Sequence, residues 1–118
     1  MHSTTIVKVN APIDVGVARL VEAFNISPLI QTIDSCEDDG ILNKARVTFL
    51  YKKSVDDLFQ FVKELAIKLA DLNYCCGYLL SIEWLGDCNV SGVLRVSPEI
   101  MEDAIRIVKN RTEMDMVE

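Results

Sequence analysis

The sequence predicts an α+β fold: a two-layer sandwich with a mainly antiparallel sheet and helices on one face, in the order (β)αββαββα. Three observations predict it. Residues 13–24, 54–72 and 97–108 repeat apolar side chains at helical spacing. Residues 45–51 and 78–84 alternate apolar and polar side chains with the period of a strand. The strand-like stretches come in consecutive pairs divided by turn residues, which suits antiparallel neighbours.

The elements follow in chain order. Thr4 to Val9 is β-prone and reads as a first strand or an ordered arm. Asn10-Ala11-Pro12 starts a helix, with proline in the first turn where its missing N–H is not needed. Ile13, Val17, Leu20, Val21 and Phe24 line one helical face, and Asn25 to Pro28 ends it. Leu29 to Cys36 reads as a strand with Ile30, Thr32, Asp34 and Cys36 on one face. After the turn residues Asp38, Asp39 and Gly40, Ala45, Val47, Phe49 and Tyr51 alternate with Arg46, Thr48 and Lys52, a strand with one wet face. Together these two strands make a hairpin.

Ser54 caps the next helix, with Asp56 and Asp57 in its first turn. Its inner stripe is Val55, Leu58, Phe59, Val62, Leu65, Ala66 and Leu69, while Phe61 and Ile67 lie off it and widen the apolar face, as extra core or as part of an interface. Tyr78 to Trp84 and Val90 to Val96 form a second hairpin, whose Tyr78 and Trp84 belong to the core face. Ser97-Pro98-Glu99 caps the last helix, which buries Ile100, Met101, Ala104, Ile105 and Val108. All 118 residues form one domain, with 1–5 and 110–118 expected to be flexible.

Composition narrows the functional classes. Half the residues are apolar, more than a short chain needs for its core, so a homo-oligomer or protein partner is expected. Eighteen acidic against twelve basic residues give a net charge of −6, which disfavours nucleic acid, since phosphate binding relies on Lys and Arg. No apolar run is long enough to span a bilayer and no export signal is evident, so a cytoplasmic protein without a membrane partner is expected. In that setting Cys36, Cys75, Cys76 and Cys88 are expected to be free thiols.

Chemistry concentrates between Asp34 and Gly40, where four carboxylates and a thiol occupy seven residues. The glycine arrives one position late for a calcium loop and no glutamate follows at the required spacing, so an acidic turn is favoured over a metal site. Cys36 as a nucleophile would need a base or cation beside it, and the chain's one histidine is His2. The adjacent Cys75-Cys76 pair lacks the spacing of a zinc site, and no glycine-rich phosphate loop occurs. No metal and no cofactor is implied. If a site exists, its residues are Asp34, Ser35, Cys36, Glu37 and, from the facing strand, Arg46.

Val21 to Asn25, Gln31 to Glu37 and Ala45 to Phe49 occur in an order that resembles a loose group of small uncharacterised prokaryotic and phage proteins. That group is built on a helix, a T-x-x-SC-[EQ]-G-H segment and a V-x-F strand. The Ser35-Cys36 turn is also similar to one at a strand end in the wybutosine-synthesis methyltransferase family. The likeness spans residues 13–51; Asp38-Asp39 stand where the group has Gly-His, and the resemblance implies no cofactor and no activity for this chain. The expected function is a protein-interaction or ligand-binding module. The alternative is an enzyme or metal-binding protein using the Asp34–Glu37 strand end.

Overall fold

The computed structural model describes residues 15–36, 44–72, 77–84 and 89–116. Its elements are α1 (Val15–Asn25), β1 (Ile30–Cys36), β2 (Ala45–Tyr51), α2 (Val55–Ala70), β3 (Tyr78–Trp84), β4 (Val90–Val96) and α3 (Met101–Glu113). Short 3₁₀ turns at Pro98–Ile100 and Met114–Met116 flank α3. This is the expected α+β architecture. The expected first strand at 4–9, the helix start at Pro12 and the acidic turn after Cys36 lie outside the described residues.

The four strands form one antiparallel sheet in the order β1-β2-β4-β3. The two hairpins therefore meet along β2 and β4, with Val47 opposite Leu94 and Ala45 opposite Val96. Ile30, Val47, Phe49, Tyr51, Leu94 and Val96 face one side of the sheet and bury against Leu20 and Phe24 of α1, Leu58, Phe61, Leu65 and Leu69 of α2, and Ala104 and Val108 of α3. All three helices thus share one sheet face. Ser54 caps α2 as its sequence predicts: its hydroxyl accepts from the Asp57 amide at 3.1 Å and the Asp57 carboxylate accepts from the Ser54 amide in return.

Three expectations are corrected. Phe61 is the buried aromatic of α2, and Phe59 and Val55 are about half exposed. The buried line Leu58, Phe61, Leu65, Leu69 keeps helical spacing but is rotated toward α3, whose Arg111 guanidinium lies 4.8 Å above the Phe61 ring. Trp84, expected in the core, is 73% exposed at the end of an edge strand. Ser97 makes no side-chain cap; it donates its hydroxyl to the Gly77 carbonyl at 3.2 Å, and α3 proper begins at Met101.

Residues 110–116 form a docked element where a frayed tail was expected. Thr112, fully buried, donates its hydroxyl to the Ala23 carbonyl at 2.7 Å and so ties α3 to α1. Ser27 and Tyr51 both donate hydroxyls to Asp115, at 2.6 and 3.1 Å, and Arg111 bridges Asp115 and Glu64. Burial works against the Asp115 charge, but the Ser27 and Arg111 hydrogen bonds outweigh it and hold its carboxyl below the ordinary range. Glu64 is held low as well, by Gln60 and then Arg111, against burial. Burial lowers the affinity of Arg111 for its proton, yet Asp115, Glu64 and Tyr51 together raise it above the ordinary value.

A pH dependence follows from these directions. Carboxyls held low by folding stabilise the fold above their ordinary values of about 4, and that contribution is lost as pH falls through the folded values. Tm is expected to be level from pH 7 to about 5 and to fall below about pH 4. Asp115→Asn, which leaves Arg111 short of a charged partner, should cost about 1–3 kcal/mol at neutral pH and flatten the acid limb. Thermal melts of both proteins across this range check it. An unchanged neutral Tm would mean the tail is not docked through Asp115.

Candidate functional site

The sheet face turned away from the helices carries the candidate site, and a bulge builds it. In β1, Thr32 pairs with Phe49 but Asp34 pairs with Thr48, so Ile33 is an extra residue in the ladder. Side chains alternate along a strand, and one inserted residue exchanges their faces from that point. Without the bulge Asp34 would oppose Val47 and point into the core. With it, Asp34 turns to the open face. The expected shared face of Ile30, Thr32, Asp34 and Cys36 is thereby split: the first two keep the helix side, and Asp34 and Cys36 fall on the other.

Two rows of cross-strand partners define the open face. Cys36, Arg46, Arg95 and Leu79 form one row across β1, β2, β4 and β3; Asp34, Thr48, Val93 and Ser81 form the next. Arg46 donates to Asp34 at 2.6 Å, with the arginine side chain 20% exposed and the aspartate 46%. Ile33, Asp34, Arg46, Thr48, Glu83, Val93 and Arg95 enclose a basin of about 270 Å³. Thr48 and Val93, both buried, floor it, and the charged side chains stand around them.

Two arginines directly opposite each other in a ladder repel, so they need nearby negative charge. Asp34 supplies it to Arg46, and Glu83 stands on the same basin wall. A guanidinium is a planar fork of donors that matches the paired oxygens of a carboxylate or phosphate. Asp34 therefore fixes the orientation of Arg46 as well as its charge balance. Ile33, on the rim, adds exposed apolar surface for the carbon part of a ligand.

Of the five residues singled out from sequence, Asp34 and Arg46 meet in this basin. Cys36 is paired across the hairpin with Arg46, but its side chain is fully buried. Ser35 is buried opposite Val47, on the helix side of the ladder. Glu37, Asp38 and Asp39 lie outside the described residues. Among the described residues, no three His, Cys, Asp or Glu side chains converge as a metal-binding group. Sequence reasoning missed Arg95, Glu83 and Thr48. Arg95 was detectable as the one cation in an otherwise apolar and small strand, Val90 to Val96.

A second hollow, of about 260 Å³, lies at the start of α2 between Lys52, Lys53, Val55, Asn89 and Val90. The capping box already engages the Ser54 and Asp57 amides there, and Asp56 and Asp57 oppose any anion. The polar cluster of Ser27, Tyr51, Glu64, Arg111 and Asp115 is satisfied internally and closes the fold. Compared with protein-family models, curated proteins and solved structures, the chain matches none.

Proposed function

We propose that this domain binds a small carboxylate- or phosphate-bearing ligand on its open sheet face. The observation that carries the reading is the cross-strand pair Arg46 and Arg95 in one basin, with Arg46 oriented by Asp34. The arginines take the oxyanion, Thr48 offers a hydroxyl, Glu83 and Asp34 suit a positive group on the same ligand, and Ile33 takes its apolar part. The net charge of −6 disfavours a nucleic-acid polyanion and suits a small ligand that one local patch can hold. We assign the domain to the cytoplasm, a reading supported by the free thiol of Cys36. Among the described residues no helix is long and apolar enough to cross a membrane.

The enzyme alternative is favoured by one observation, the placement of Arg46 opposite Cys36. A thiol with no exposed surface cannot reach a substrate, so binding is the better supported reading.

Calorimetric titration with succinate and with inorganic phosphate tests the proposal. One of the two is expected to bind, and Arg95→Lys, which keeps charge but loses the fork, should weaken binding at least tenfold, or about 1.4 kcal/mol. Equal affinity in wild type and Arg95→Lys would remove the basin from the account.

A further inference from the structure

We infer that two copies of the chain associate through β3, their edge strands pairing antiparallel about a two-fold axis at Ser81. The inference stands apart from the ligand reading and rests on how differently the two sheet edges are built. Natural sheets guard exposed edges with bulges, proline or charged side chains, lysine above all. β1 has its bulge at Ile33 and follows Pro28. β3 has no bulge, proline or lysine, and its single charge is Glu83. Its seven residues, Tyr-Leu-Leu-Ser-Ile-Glu-Trp, stay in unbroken register with β4, and among the described residues no strand lies beyond it.

The apolar surface that should be buried is concentrated on the same flank. Trp84 is 73% exposed and Leu79 42% on β3 itself. Above them, α2 leaves Val55 46% and Phe59 52% exposed. The orientation of α2 is fixed by Glu64, which grips Arg111 of α3. Phe59 precedes Glu64 by five residues, about 140° round the helix, so it lies on the flank away from α3, toward the β3 edge. A fully covered aromatic side chain buries about 150–250 Å², and these four side chains are partly covered already, so they contribute a fraction of the roughly 800 Å² per partner that a stable interface needs.

A second copy is the occupant because the strand is self-complementary. A two-fold axis at Ser81 brings Tyr78 opposite the partner's Trp84 and Leu80 opposite the partner's Ile82, all on the helix side. On the open side it sets Leu79 opposite the partner's Glu83 and Ser81 opposite its own copy. Sliding the axis to Glu83 would instead set carboxylate on carboxylate, which the ladder disfavours. Centred on Ser81, all seven residues pair, and the overhanging indole gains an aromatic neighbour. The two sheets then form one eight-stranded sheet whose open face carries both basins.

Sedimentation of the full chain, with fluorescence of Trp84, the only tryptophan, tests the inference. The expected result is a dimer at micromolar concentration whose tryptophan emission moves to the red as dilution frees the monomer. Trp84→Lys and Leu79→Lys should each raise the dissociation constant at least tenfold. Hydrogen exchange of the wild type at two concentrations needs no variant: β3 amides should be protected in the dimer and lose protection on dilution. A monomer at 100 μM overturns the inference. So does a dimer indifferent to both lysines, or β3 protection that is independent of concentration, which would mean another part of the same chain covers the edge.

Discussion

Phe61→Ala is expected to destabilise the fold by about 3–5 kcal/mol, the usual range for emptying a large aromatic from a closed core. Phe61 has no exposed surface and is the meeting point of the core's aromatic rings. Tyr51 stacks on it at 5.0 Å between centroids, Phe49 meets it edge-on at 5.5 Å and Phe24 lies tilted at 6.4 Å. Arg111 covers the ring at 4.8 Å, so the loss also loosens the cluster that docks the C-terminal turn. A domain of this size has about 5–15 kcal/mol of stability in total, so the variant should melt far below the wild type. Urea unfolding followed by circular dichroism checks this. Phe59→Ala, measured at a concentration that keeps the chain monomeric, is the internal control: its half-exposed ring should cost less than about 1 kcal/mol. Reversed magnitudes would mean that α2 is rotated from the orientation described.

Gly92→Ala is expected to cost about 2–3 kcal/mol, toward the upper end of the range for overpacking. Gly92 lies opposite Phe49 on β2 and Ile82 on β3, and a methyl group there would come within 2.5 Å of the Phe49 ring tip. The ring cannot yield, because Phe24 stacks on it at 4.6 Å and Phe61 closes its edge. The glycine is thus required by an aromatic side chain lying across the centre of the sheet. A double variant with Phe49→Leu should recover part of the loss, since a smaller side chain leaves room for the methyl group. Additive losses in that cycle would contradict the contact.

Much of the fold was legible because it is written in local periodicity. The alternation of Ala45, Val47, Phe49 and Tyr51, the cap at Ser54 and the spacing of Val17, Leu20 and Phe24 each gave an element that forms where expected. What local pattern could not supply was the choice among apolar faces on α2. Val55, Phe59, Phe61 and Ile67 widen the stripe in both directions, and its centre is set by α3, more than thirty residues away in sequence. The docked tail was hidden for the same reason. Arg111 and Asp115 read as solvent charges until Tyr51, Ser27 and Glu64 are brought beside them.

The site was half legible. Asp34 and Arg46 were singled out as chemically capable residues on facing strands, and they do form an ion pair. The bulge at Ile33, which turns Asp34 out of the core, has no signature in the sequence, because nothing in Thr32-Ile33-Asp34 marks which residue will be left unpaired. Arg95 reaches the site through the contact between hairpins, a pairing across about fifty residues of chain that no short-range pattern encodes.

The most direct test of the account is amide chemical-shift mapping during titration with succinate and inorganic phosphate. Saturable shifts gathered at Asp34, Arg46, Thr48, Glu83, Val93 and Arg95, and lost in Arg46→Ala, are the expected result. No saturable shift up to 10 mM of either probe, on the order of the weakest affinity two charge-assisted contacts would give, would contradict it, as would shifts gathered on the helix side of the sheet.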